Sequence, residues 1–127
     1  MTLLPSSDAA YLRQKGILYD EVVEGPNKAV ILRSYGLPAA HFDCSRADIL
    51  ILLPAGYPDV APDMFYVLPW VKLVNVNRYP NKADQPFPFN GQTWQRWSRH
   101  NNEWRPGKDG IWTMLKRIDT ALLVAAA

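Results

Sequence analysis

The sequence predicts an α+β fold: an antiparallel strand meander with an N-terminal helix and a C-terminal helix after a long loop. Three observations predict it. A cappable helical stretch opens the chain, four β-rich runs separated by turn residues follow, and the last segment repeats apolar residues at the helical period. At 127 residues the chain suits one domain, residues 1–127. Apolar residues make up 48 % of it, enough for a core.

The elements follow in order. "SSDAAYLRQKG" (6–16) reads as a short helix, with Ser6, Ser7 or Asp8 available to cap it and Gly16 to close it. "ILYDEVVEG" (17–25) reads as a first strand that ends at the turn signal Gly25-Pro26-Asn27. "KAVILRSYGLP" (28–38) is a second strand, rich in β-branched and aromatic residues. "ADILILLP" (47–54) is a third, and its continuous apolar run points to burial. "DMFYVLPWVKLV" (63–74) is a fourth, interrupted near Pro69 because proline cannot donate to a ladder. Residues 75–90 carry Pro80, Pro86 and Pro88 among Asn and Asp, and read as a long loop. "DGIWTMLKRIDTALLVA" (109–125) is the clearest helix. Its Ile111, Leu115, Ile118 and Leu122 share one face, Asp109 stands where an N-cap would, and Lys116 and Arg117 lie on the opposite side.

Composition narrows the function classes. A net charge of +2 implies no general attraction to nucleic acid or membrane, so neither is expected as a partner. No apolar run approaches the roughly 20 residues of a membrane helix, and the opening "MTLLPSSDAAYLRQKG" lacks the layout of a secretion signal. A single cysteine, Cys44, forbids an internal disulfide and suits a cytoplasmic protein. Two distant histidines with that one cysteine make no zinc pattern, so no metal and no cofactor are expected.

Two stretches carry a resemblance. In "LPAGYPDVAP" (53–62), Leu53, Pro54, Tyr57, Pro58 and Pro62 match the spacing of a signature of the ubiquitin-conjugating (UBC) fold, which follows the third strand there as here. Trp104-Arg105-Pro106 is similar to that family's W-x-P before a helix. "RWSRHNNEWRPG" resembles the hallmark of a bacterial subgroup, prokaryotic family E of the conjugating-enzyme-like proteins. The resemblance implies a UBC-like fold and a transferase role in a ubiquitin-like modification pathway. The implied partners are a ubiquitin-like protein, a ThiF-type activating enzyme and an associated peptidase; antiphage defence is the implied setting. On physical grounds alone, Tyr57-Pro58 is a structural corner: proline ends the ladder and holds the preceding residue extended.

The family's catalytic cysteine is missing. Counting back from Trp104 lands on Arg96; counting forward from Asn90-Gly91, which resembles the family's Asn-Gly, lands on Trp94. Cys44 lies upstream of the corner, with Asp43 and Asp48 nearby to discourage a thiolate and Arg46 partly offsetting them. Thr93 and Ser98 are the only hydroxyls in residues 93–104. Ser98 is the better nucleophile, because His100 two residues on can take its proton if the backbone there is extended or turned. Asn101 and Asn102 would donate to a developing oxyanion. Arg96 and Arg99 would hold the modifier's C-terminal tail. Tyr79-Pro80-Asn81 has the shape of the family's His-Pro-Asn, so Asn81 is either a carbonyl-polarising residue or a turn residue.

The modifier would then ride on Ser98 as an oxyester rather than a thioester. Two other readings stay open at this point. One is a catalytically inactive UBC-fold adaptor that binds a ubiquitin-like protein or its activating enzyme. The other treats the tryptophans and arginines of this stretch as a platform for single-stranded nucleic acid, with bases stacking on exposed rings; the low charge argues against it, and Trp94, Trp97 and Trp104 serve equally as core anchors.

Overall fold

A computed structural model describes residues 3–100 and 103–127. Helix α1 (Ser6–Gln14) leads into strands β1 (Tyr19–Glu24), β2 (Asn27–Gly36), β3 (Arg46–Leu53), β4 (Phe65–Leu68), β5 (Gln85–Phe89) and β6 (Gln92–Trp97), and helix α2 (Ile111–Val124) follows. The strands form one antiparallel sheet in the order β1-β2-β3-β4-β6-β5. This is the α+β, UBC-like arrangement that the sequence implies. Among the described residues, no helix is long and apolar enough to cross a membrane.

Gly16 closes α1 as its sequence position suggests. At φ +69° it takes the left-handed conformation, its N–H donates to Arg13 O at 3.0 Å, and the Ile17 N–H reaches Leu12 O at 3.0 Å. The N-cap differs from expectation: it is Pro5, whose carbonyl accepts from the Asp8 and Ala9 N–H groups. Asp8 is free of that duty and turns inward.

The long-loop expectation for residues 75–90 needs correction, because Gln85–Phe89 pairs with β6 as an edge strand. Pro86 and Pro88 are compatible with it. Two residues apart, they place both missing N–H groups on the one side of the strand that an edge turns to solvent. Asn90-Gly91 makes the two-residue turn into β6, both at positive φ (49° and 79°), as a tight hairpin requires. The strand expected over 63–74 is shorter, ending at Leu68 before Pro69.

Four consecutive buried residues in β2, Ala29–Leu32, show that both faces of the sheet are covered. Val30, Leu32, Ile49, Ile51, Phe65, Val67 and Trp97 face α2, which buries Ile111, Met114, Leu115, Ile118 and Leu122 against them. The alternate residues Ala29, Ile31, Leu50 and Tyr66 meet Phe89 and Trp94 in a second, smaller cluster. The sheet curls far enough for the Asn90 N–H, in the last hairpin turn, to donate to the Glu24 carboxylate at the end of β1.

Candidate functional site

The Tyr-Pro corner is structural. The Tyr57 hydroxyl donates to Asp8 Oδ2 at 2.5 Å, and burial together with that carboxylate pushes the phenol far above its usual range. Trp104 Nε1 donates to Pro58 O at 2.8 Å and its ring tilts against Tyr57. Asp8, only 5 % exposed, also accepts the Ile111 N–H at 3.2 Å, so a side chain of α1 caps α2. A Cβ on Gly110 would lie 2.6 Å from Asp8 Oδ1, which explains the glycine there. Asp109 is therefore not the N-cap expected from sequence. Its carboxylate binds Arg105 Nη2 at 2.8 Å and accepts the Thr113 hydroxyl at 3.1 Å, and the guanidinium holds its pKa down to about 2.

The stretch around Ser98 begins as strand. Trp94 and Trp97 are fully buried, on opposite faces of β6, so neither ring is open to a stacking base. Gln95 is also fully buried. Its amide accepts from Val71 N at 3.0 Å and donates to Val71 O at 3.0 Å and Ala83 O at 2.8 Å, pinning the segment between β4 and β5 to the sheet. Arg96 faces the other way, opposite Tyr66 in the register, and lines neither groove described next.

Beyond Trp97 the chain leaves the sheet, and the Ser98 N–H donates to Lys82 O at 3.0 Å. That bond draws Ser98 beside the Pro80–Ala83 turn, which is closed by Ala83 N–H to Pro80 O at 3.0 Å, with Lys82 at φ +57°. Asn81 is thus a turn residue, and it also shares a groove of about 370 Å³ with half-buried Ser98, together with Arg99, Val124 and residues 125–127. The Asn81 N–H holds Ala126 O at 2.8 Å, while His41 Nε2 lies 3.1 Å from Ala125 O.

A second groove, about 460 Å³, runs along α2 and contains His100. Its floor includes Phe65, Met114 and Ala121, and Arg99, Ala121 and Val124 line both grooves, so the two adjoin. Arg99 lies over the Trp97 ring at 5.1 Å, and its burial lowers the guanidinium pKa. His100 Nδ1 sits 3.0 Å from Asp63 Oδ1, a contact that leaves Nε2 free to take a proton when Nδ1 carries the hydrogen.

Of the residues singled out in the sequence, Ser98, Asn81 and Arg99 therefore come together. His100 flanks them in the adjoining groove, and Arg96 stands apart. Asn101 and Asn102 lie outside the described residues. Asp63 was missed, since nothing in its local sequence signals a partner 37 residues away. Cys44 lines neither groove; its thiol donates to Arg46 O at 2.8 Å, in the connection between β2 and β3. Asp43 and Asp48 are engaged elsewhere, with the Lys72 backbone and Arg33. Among the described residues no cluster of three His, Cys, Asp or Glu could hold a metal.

A protein-family model described as prokaryotic E2 family E matches residues 4–125, nearly the whole chain. No curated protein and no solved structure matches it.

Proposed function

We propose, from the premise that this chain belongs to prokaryotic E2 family E, that it receives a ubiquitin-like modifier from an activating enzyme and carries it on Ser98. Membership gives the coarse role, conjugating-enzyme-like handling of a modifier. The finer chemistry is our reading, and one observation carries it: Ser98 and Asn81 line the same solvent-reachable groove, brought there by the Ser98 N–H to Lys82 O bond.

In this reading the 127 residues act as a single cytoplasmic UBC-like domain. The modifier's tail enters along α2, and Arg99, shared by both grooves, holds it. The Ser98 hydroxyl attacks the activated C-terminal carbonyl. The new C–O bond forms as the bond to the activating enzyme breaks, and the serine proton leaves through His100 with the departing group. Asp63 fixes His100 with Nε2 as the basic nitrogen. The Asn81 amide donates to the oxyanion, a contribution worth roughly 3 kcal/mol per donor in acyl transfer. Among the described residues Ser98 and His100 do not hydrogen-bond, and such catalytic bonds commonly tighten only with substrate present. An amine or hydroxyl then attacks the ester and Ser98 regains its proton. A ThiF-type activating enzyme would supply the charged modifier, and an associated peptidase would process or remove it.

The adaptor reading draws on the same unjoined pair and on the placement of Cys44 away from both grooves. A charging assay separates the two. Mixed with activating enzyme, ATP and modifier, the carrier forms an adduct that survives reducing agent, splits in base and disappears in Ser98→Ala. Retained binding with no adduct would establish the adaptor instead.

A further inference from the structure

The groove along α2 carries more positive charge than the protein itself neutralises. Lys116, Arg117 and Arg99 line it, and none of the three makes an ion pair among the described residues. Arg117 donates from Nη2 to Glu103 O at 3.2 Å, while its buried Nε has no hydrogen-bond partner among the described residues. Among the described residues Arg99 stacks over Trp97 and donates one hydrogen bond, to its neighbour's carbonyl Ser98 O at 3.1 Å. Asp63, the sole acid on the lining, is engaged by His100. A desolvated guanidinium with unsatisfied donors is costly, and a carboxylate is the group that satisfies its planar fork best.

The shape fits an extended peptide. Thr113, Arg117, Thr120 and Val124 follow one another at i, i+4, i+7 and i+11 along the helix. At about 1.5 Å per residue they span about 16 Å, the length of about five residues of extended chain. The Ser98 end is the Val124 end, because that residue belongs to both grooves. Arg117 lies about 10 Å back along the helix from Val124, or about three extended residues.

We infer that the groove selects modifier tails bearing an acidic side chain about three residues before the terminal glycine and disfavours tails bearing arginine or lysine there. A basic side chain at that point would meet Lys116 and Arg117 in a partly desolvated channel, and like-charge juxtaposition is how interfaces reject wrong partners. The inference rests on the reading that this groove takes the modifier's tail; it adds which modifiers are taken.

The test uses two fluorescein-labelled decapeptides ending in X-Leu-Gly-Gly, with X either Glu or Arg, titrated with the full chain and followed by anisotropy. The Glu peptide is expected to bind roughly fivefold or more tightly, a difference of about 1 kcal/mol, and to weaken as salt rises. Lys116→Glu together with Arg117→Glu is expected to reverse the order. Lys116→Glu alone, at an exposed position, is expected to narrow it and serves if the double variant does not fold. Equal binding, tighter binding of the Arg peptide, or a Glu preference untouched by charge reversal overturns the inference. Ser98→Ala separates the two claims. If that variant keeps the Glu preference and the wild type never charges, the carrier chemistry alone fails. If Ser98 charges but the peptides bind alike, the tail selectivity alone fails.

Discussion

The two ends of α2 are built to opposite specifications. At the N-terminal end the described polar groups find partners within the protein: Asp8 takes the Tyr57 hydroxyl and the Ile111 N–H, Asp109 takes Arg105 and Thr113, and Trp104 takes Pro58 O. From the middle of the helix to its C-terminal end, Arg117 Nε is buried without a partner and Arg99 makes no ion pair among the described residues, while Ser98 and Asn81 line a groove. Satisfied groups set geometry; unsatisfied ones are available to something outside the chain. The corner motif and the W-x-P segment thus do framework work, and the chemistry we propose falls to the far end of the same helix.

The sharpest way to break the comparison is at the satisfied end. Asp8→Ala leaves the Tyr57 hydroxyl and the Ile111 N–H unpaired in a buried junction, at about 1–3 kcal/mol each. A fall in Tm of about 10 °C is expected by calorimetry, against no more than about 0.5 kcal/mol for Ser98→Ala. Gly110→Ala is expected to be strongly destabilising beside Asp8, whose Oδ1 would sit 2.6 Å from the new Cβ. Gly110 is extended at φ −163°, so the backbone itself accepts alanine. In an Asp8→Ala background the same change is expected to cost much less, a coupling of about 1 kcal/mol or more in the double-mutant cycle. Additive costs would remove Asp8 as the reason for the glycine.

Gln95 links the two specifications, since a satisfied buried amide holds the turn that carries Asn81. Gln95→Leu keeps the bulk but strands three backbone groups of Val71 and Ala83. The expected loss is about 2–3 kcal/mol, with faster hydrogen exchange at the Val71 amide. If serine charging is real, it should slow in this variant even at temperatures where the protein remains folded. Unchanged exchange at Val71 would show that the segment is held by other contacts.

How much of this was legible follows from where each signal sits along the chain. The helices, β1 to β3 and the corner were readable because their causes are local: α2's apolar face repeats every turn, and Gly16 and Gly25-Pro26 mark stops. The last hairpin has an equally local signal in Asn90-Gly91, but the flanking prolines mask it, and the pair also resembles the family's Asn-Gly before a cysteine. Ser98, Asn81 and Arg99 were each named from sequence, yet their sharing one groove depends on a backbone bond from Ser98 to Lys82 that no spacing rule foretells. The sequence offers Asp8, beside Ser6 and Ser7, as a cap for its own helix, and it caps one 103 residues away. Gln95 looked like an ordinary polar residue between two tryptophans; its partners lie 24 and 12 residues off. Long-range hydrogen bonds leave no periodicity, which is why the buried polar groups were the least readable part.

The smallest expected effect concerns acid, and it sharpens the contrast because, among the described residues, the strongly shifted carboxylate lies at the satisfied end. Hydrogen bonding to Arg105 lowers the Asp109 pKa from 3.8 to about 2. In the unfolded chain that carboxyl binds its proton first as pH falls. Its contribution to stability is therefore fully present above about pH 5 and drains away between about pH 4 and 2. Asp109→Asn should lower Tm by a constant amount near neutral pH, and the gap to wild type should close as the buffer approaches pH 2. Arg105→Gln should show the same convergence, since it removes the partner that causes the shift. A gap that stays constant down to pH 2 would mean that the Asp109 side chain supports the turn before α2 through its neutral hydrogen bonds alone, with the guanidinium contributing nothing.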